Sequence, residues 1–225
     1  LELGRAIGLP VANSQIMRFK DEIAIVIERY DRVRIATTWQ RVHQEDTCQA
    51  LSISPTRKYQ SDGGPSIRAI VELLKSFSSN APEDVGTFLD SIAYNWLIAG
   101  TDAHAKNYAL LIAAQGQVRL APLYDIASIL PYRDLDIERA KFAMKIGSEY
   151  RLRNINLYQW RKLAQEVRID PGVLISRIDN IAQQLLEQIP EVGRSLKTEG
   201  LKHSIVETLS KALTKRISGC RKLLR

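Results

Sequence analysis

Apolar residues recur at helical spacing most clearly at Val85, Phe88, Leu89, Ile92, Ala93, Trp96 and Leu97, a series of i, i+3, i+4, i+7, i+8, i+11 and i+12. That period predicts a long amphipathic helix whose apolar face forms the spine of the molecule. Pro82 with Glu83 and Asp84 marks its start, and Gly100 its end. Two short apolar strands follow, joined by a turn at Gln115-Gly116-Gln117, and the second runs out into Tyr124-Asp125. Near the start, VANSQIMRF and IAIVIERYD flank a turn at Lys20-Asp21-Glu22 and read as two strands, the second apolar enough to be buried. Arg34 to Gln40 reads as a polar loop, and RVHQEDTCQAL as a helix with Glu45 and Asp46 near its N-terminus. KYQSDGGPSI reads as a turn leading into a helix over 66–77. From Ile137 onward the pattern is helical, with breaks at Pro171-Gly172 and between Pro190 and Gly200. LELGRAIGL reads as the back half of a helix ended by Gly8 and Pro10. With Leu1 rather than Met in first place, the chain is expected to be a fragment, or the ordered remainder of something longer.

Composition narrows the class without naming a function. With 45% hydrophobic and 25% charged residues in 225, a globular fold of one large domain or two small lobes is expected. Cys48 and Cys220 lie far apart, without metal-ligand spacing, and imply free thiols in a reducing cytoplasm. No apolar run approaches membrane length. The net charge of +7 is diffuse, densest in LTKRISGCRKLLR, and reads as a solvated basic surface or as affinity for an anionic partner.

The chemistry concentrates between the long helix and the hairpin, in TDAHAKN. The spacing Asp102-x₄-Asn107 matches the catalytic loop of protein kinases, and Asp125 falls where a second metal-binding Asp follows a short strand pair. Phosphoryl transfer needs positioning and charge neutralisation more than covalent work, and magnesium takes carboxylate, amide and water oxygens. An Asn and an Asp suit the metal, and a further Asp left unligated can orient the hydroxyl nucleophile. Taken singly, Asp102 also reads as a helix-exit residue, Asn107 as a turn former and Asp125 as an N-cap. Their order along helix, loop and hairpin favours the kinase reading. Gly63-Gly64 precede a helix but lack the GxxxxGK[ST] spacing of a phosphate loop.

TDAHAKNYALLI followed by LAPLYDIAS resembles the core of the HipA family of serine/threonine kinases, toxins of bacterial toxin–antitoxin modules. IAIVIERYDR, RVHQEDTCQAL and KYQSDGGPSI are similar to that family in the same order. The resemblance implies an α+β, mostly helical fold like the C-terminal lobe of a protein kinase, with 1–33 a remnant of the N-lobe and hinge strands and 34–225 the helical lobe. The family's glycine-rich loop and nucleotide-binding lysine are not recognisable here. It further implies ATP and Mg²⁺ as cofactors, with Asp102 as base, Lys106 beside the transferring group, and Asn107 and Asp125 on the metal. Glu28, Tyr30, Gln44, His104 and Tyr124 are the implied nucleotide contacts. An acceptor of the aminoacyl-tRNA synthetase class and a HipB-like helix-turn-helix antitoxin, through which DNA is contacted, are the implied partners. Read from the residues alone, Glu28 also pairs with an Arg, Tyr30 packs, His104 makes a structural hydrogen bond and Lys106 pairs with Asp102. Two other functions fit the pattern: a kinase-like scaffold that transfers nothing, and a metal-dependent phosphohydrolase built on Asp102, His104 and Asp125.

Overall fold

The computed structural model describes residues 1–132, 134–201 and 203–225. A short helix α1 (Glu2–Ala6) leads into the antiparallel hairpin β1 (Ser14–Phe19) and β2 (Glu22–Ile27). A second hairpin, β3 (Arg32–Ile35) with β4 (Thr38–Arg41), occupies the segment expected to be a polar loop. The alternation in Arg32-Val33-Arg34-Ile35 is a strand signal that its charge conceals.

The next strand is the first that the site depends on. His43–Asp46 form β5, and only Thr47–Ala50 are helical (α2), where an eleven-residue helical run was expected. Asp46 ends the strand and caps the helix: its carboxylate accepts from Gln49 N at 2.9 Å while Gln49 Oε1 accepts from Asp46 N at 3.0 Å, a reciprocal capping box. Helices α3 (Ile67–Phe77) and α4 (Ala81–Ile98) follow, with Ser66 capping the first through Ala69 N. Then come β6 (Ala109–Ile112) and β7 (Val118–Leu120), which extend β5 into a three-stranded antiparallel sheet of order β5-β6-β7.

The long helix lies deeper than its sequence implies. Phe88, Ile92, Trp96 and Leu97 are buried as expected, but so are Ser91, Tyr94 and Asn95 on the other side of α4. Packing around it are α3, the sheet through β7, and the C-terminal helices α5 (Leu157–Glu166), α6 (Pro171–Thr198) and α7 (Ser204–Leu223). Trp96 meets Trp160 of α5 edge to face at 5.4 Å.

One expectation for the C-terminal half fails. Lys141–Ile146 and Glu149–Arg151 form a hairpin, β8 and β9, turning at Gly147 with φ +61°. The alternation in Lys141–Ile146 buries Phe142, Met144 and Ile146. The break expected between Pro190 and Gly200 falls at the Gly200 end, since α6 runs through Pro190 to Thr198 and α7 begins at Ser204. Proline costs the carbonyl four residues back its partner, but Leu185 and Ile189 beside it are buried, which holds the helix together.

The hairpin β1–β2 is also not the buried one that its apolar run predicts. Ile23, Ile25 and Ile27 are exposed at 50, 61 and 42%, and Phe19 across from them at 54%. No helix among the described residues is long and apolar enough to cross a membrane.

Candidate active site

The C-terminus of α4 sets the site. Ala99 takes a left-handed conformation, φ +56°, and Gly100 follows where a side chain has no room, since a Cβ there would sit 2.3 Å from Asn95 Oδ1. The chain then turns sharply through Asp102 and His104 into a single 3₁₀ turn, Ala105–Asn107, and on into β6. Two contacts fix this loop from below: Thr47 Oγ1 donates to Ala105 O at 2.6 Å, and Thr47 N donates to Tyr108 O at 2.9 Å.

Asn107 is nearly buried, and its Nδ2 donates to Asp102 O at 2.8 Å. That bond assigns the amide and leaves Oδ1 as its acceptor. Asp125 arrives from β7 in a left-handed conformation, φ +53°, and its side chain is exposed. The strand end before it is stitched to the N-terminal segment, with Leu123 N donating to Pro10 O and Ala12 N to Leu123 O, at 2.7 and 2.8 Å. Beyond it, Ser128 Oγ donates to Ile98 O and Ile129 N to Ala99 O, which lays the chain over the end of α4. Asn107 and Asp125 consequently line one narrow crevice, together with Asn95, Ala103 and Tyr124. An amide oxygen and a carboxylate in one crevice fit magnesium, which keeps several waters and takes further oxygens from a phosphate substrate.

Asp102 itself is exposed, with its side chain 60% accessible. Tyr59 donates its hydroxyl to Asp102 Oδ1 at 2.6 Å, a contact that nothing in the sequence announced. His104 lies against Tyr59 edge to face at 5.2 Å, with Nε2 3.9 Å from the same carboxylate oxygen. Burial lowers the pKa of His104 from its ordinary value, outweighing the Asp102 charge, so the ring is neutral at pH 7. The structural hydrogen bond considered for it is absent among the described residues: Nδ1 is buried without a partner. Such an atom calls for a ligand or a water.

Lys106 pairs with Asp46, Nζ to Oδ2 at 2.7 Å, and not with Asp102. The ion pair joins the catalytic-type loop to the end of β5. In the same strand Gln44 stands opposite Leu111 of β6. Tyr30 stacks on Tyr124 with ring centres 5.8 Å apart and planes 27° from parallel, and Tyr124 donates its hydroxyl to Lys106 O at 2.6 Å. These half-buried rings form one aromatic surface, which Tyr124 joins to the crevice. Glu28 lies in the segment after β2. Its carboxylate accepts from Asn13 Nδ2 at 3.0 Å, rather than from an arginine.

Asp31 was not singled out by sequence and holds this edge in place. It is 2% exposed, accepts from Arg29 and Arg32 at 2.6 Å, and accepts from Val42 N through its carbonyl at 2.9 Å. The Arg29 hydrogen bond leads the causes that hold its pKa down at about 2. A depressed carboxylate contributes stability that is complete above its unfolded value and is lost as pH falls through the folded one. In acid titration followed by tyrosine fluorescence, the Tyr30 region is therefore expected to stay ordered below pH 4 and loosen toward pH 2. Asp31→Asn should remove that acid limb, and an unchanged limb would show that Asp31 does not set it.

Among the described residues, no three His, Cys, Asp or Glu side chains converge as a metal site. The hydrolase alternative, which needs Asp102, His104 and Asp125 on metal, lacks its cluster.

The family model of the HipA-like C-terminal domain matches residues 1–192. The putative kinase Y4mE of Sinorhizobium fredii is 37% identical over 193 residues, covering 85% of this chain and 45% of that protein. The serine/threonine-protein kinase toxin HipA of Shewanella oneidensis is 31% identical over 205 residues, covering 85% of this chain and 46% of that protein. The solved complex of Shewanella oneidensis HipA with HipB and operator DNA matches 98% of this chain and 55% of the HipA-complex chain, with TM-score 0.84 and 26% identity. The Helicobacter pylori proinflammatory kinase CtkA matches 99% of this chain and 79% of its own, with TM-score 0.65 and 14% identity, a likeness of fold alone. The chain thus spans just under half the length of the two curated relatives, and its α+β architecture is that of a kinase-like C-terminal lobe.

Proposed function

The chain belongs to the HipA-like C-terminal domain family, and from that premise we propose that it carries the catalytic machinery of a serine/threonine protein kinase. The reaction moves the γ-phosphoryl group of ATP to a Ser or Thr hydroxyl of a protein. The observation that carries this reading is the meeting of Asn107 and Asp125 in one crevice, with Asp102 exposed on the loop beside it. A magnesium ion held by Asn107 and Asp125 would offset phosphate charge. Asp102 accepts the proton of the acceptor hydroxyl, and its exposure leaves room for a protein segment to approach.

The nucleotide base is assigned to the surface of Tyr30, Tyr124 and Gln44, with Glu28 at its rim. His104 offers the phosphates a neutral ring whose Nδ1 has no other partner. Lys106 serves as a cation near the transferring group, and to touch phosphate it must exchange Asp46 for it. Residues 1–33 are assigned to the hinge side of the cleft and 34–225 to the larger lobe.

The finer assignments extend from the relatives. The Shewanella protein is a kinase toxin and is seen with HipB and operator DNA. By extension, the acceptor is a protein of the aminoacyl-tRNA synthetase class, and a HipB-like antitoxin neutralises the toxin and provides the contact with DNA, all in the cytoplasm. The deciding measurement is calorimetric titration of ATP into the 225-residue chain, with magnesium and again with EDTA. Binding that requires magnesium is the expected result, and absence of heat in both conditions would overturn the reading for this polypeptide.

A further inference from the structure

The KYQSDGGP segment has no role in the chemistry as assigned so far, yet it is tethered at several points beside Asp102. Lys58 O accepts from Ala105 N at 3.2 Å, inside the catalytic-type loop. Tyr59 O accepts from both Asp62 N and Gly64 N at 3.0 Å, and Gln60 Oε1 accepts from Lys145 N of β8 at 2.7 Å. Gly63 turns at φ +86°, and at Gly64 a Cβ would sit 2.2 Å from Arg57 O and 2.7 Å from Tyr59 O. Both are backbone atoms, so only glycine closes this loop at that point. The Lys58 ammonium lies over the Tyr59 ring at 5.1 Å from its centre, and the His104 and Tyr59 rings meet edge to face with centres 5.2 Å apart.

All of this machinery delivers one hydroxyl to one carboxylate oxygen. We infer that Tyr59 is a positioning residue for phosphoryl transfer: its hydroxyl, 2.6 Å from Asp102 Oδ1, fixes the carboxylate so that Oδ2 is left to meet the acceptor hydroxyl. The inference rests on the kinase reading, in which Asp102 is the base. In the step itself the acceptor O–P bond forms as the bond from the γ-phosphorus to ADP breaks, and the acceptor proton passes to Asp102. A carboxylate free to rotate would present its oxygens to that proton in many orientations, and small misplacements of a reacting group are costly. The Asp102 contact leads the causes that raise the Tyr59 phenol to about 12, so it stays a neutral donor throughout the working pH range.

Tyr59→Phe removes the hydroxyl and keeps the ring between Lys58 and His104. Turnover of γ-labelled ATP by the full chain, into water and into its own hydroxyls, is expected to fall about 10- to 100-fold in kcat, with magnesium-dependent ATP affinity unchanged within about twofold. A merely structural role would instead weaken binding and turnover together. A second measurement needs no activity: ¹³C NMR of labelled tyrosine, assigned through the Phe variant, should find Tyr59 ionising near 12, and Asp102→Asn should return it toward about 10. Full kcat in Tyr59→Phe overturns the inference, as does a Tyr59 ionisation indifferent to Asp102. Phosphate found on Tyr59 overturns it too, because the residue would then be an acceptor. If the wild-type chain binds Mg-ATP and never transfers phosphate, the kinase reading falls first and the inference with it, whatever the NMR reports.

Discussion

Asp102→Asn is expected to reduce phosphoryl transfer by about 10²- to 10⁴-fold, the range for removing a general base, while leaving Mg-ATP binding nearly intact. Binding survives because Asn107 is held through the backbone carbonyl of Asp102 and not through its carboxylate, so the substitution leaves the metal-facing amide in place. Tyr59 retains an oxygen to donate to, and Lys106 stays with Asp46. What disappears is the capacity to take a proton. At about 1.4 kcal/mol per decade, the loss corresponds to roughly 3 to 5.5 kcal/mol of transition-state stabilisation. The check is a paired measurement on one preparation, calorimetry for Mg-ATP and release of labelled phosphate for transfer. Equal loss of both would mean that Asp102 is chiefly a metal ligand, and the assignment of roles among the three residues would have to be redrawn.

The division between what could be read in the chain and what could not follows sequence separation. Helix α4 announces itself because its apolar positions repeat over four turns, and the spacing of Asp102 and Asn107 is legible because six residues of one loop set it. The hairpin β6–β7 and its exit at Asp125 are likewise local, and so is the turn between β1 and β2, although the two strands are three to four residues shorter at their outer ends than the apolar runs predict. Strand β5 was missed because His43-Gln44-Glu45-Asp46 has no apolar alternation, and it exists through pairing with residues more than sixty positions away. The pairing that matters most to Lys106 crosses the same gap, and that of Tyr59 with Asp102 spans 43 positions. An isolated Tyr or Asp carries no mark of such a partner. The apolar run of β2 misled differently: alternation specifies a strand, while its burial depends on what packs over it.

Asp84 shows how far such a long-range contact reaches, and its removal is the largest stability effect expected away from the apolar core. In the sequence it is one of two acids in the first turn of α4, where the helix dipole alone would account for it. In the structure it is 3% exposed and accepts from four groups: Ser78 Oγ at 2.6 Å, Leu120 N at 2.8 Å, and Arg119 Nε and Nη2 at 3.1 to 3.2 Å. It therefore ties the start of the central helix to β7, the strand that runs out to Asp125. Asp84→Ala leaves the part-buried Leu120 amide and part of a guanidinium without an acceptor, and Arg119 is exposed enough for water to offset some of that. The expected cost is about 3 kcal/mol, or a fall in Tm of roughly 6 to 12 °C for a chain of this size. Asp90→Ala is the matched control, since its pair with Arg177 is open to solvent on the arginine side and should be worth within about 1 kcal/mol. Thermal unfolding of the two variants measures the difference, and a loss below about 1 kcal/mol for Asp84→Ala would show that the ladder to β6 and the Ser79–Val118 bonds hold β7 without Asp84. If Asp84 is the anchor, the folded remainder of that variant should also bind Mg-ATP more weakly, because the strand delivering Asp125 has lost its attachment to the helix that ends at the catalytic loop.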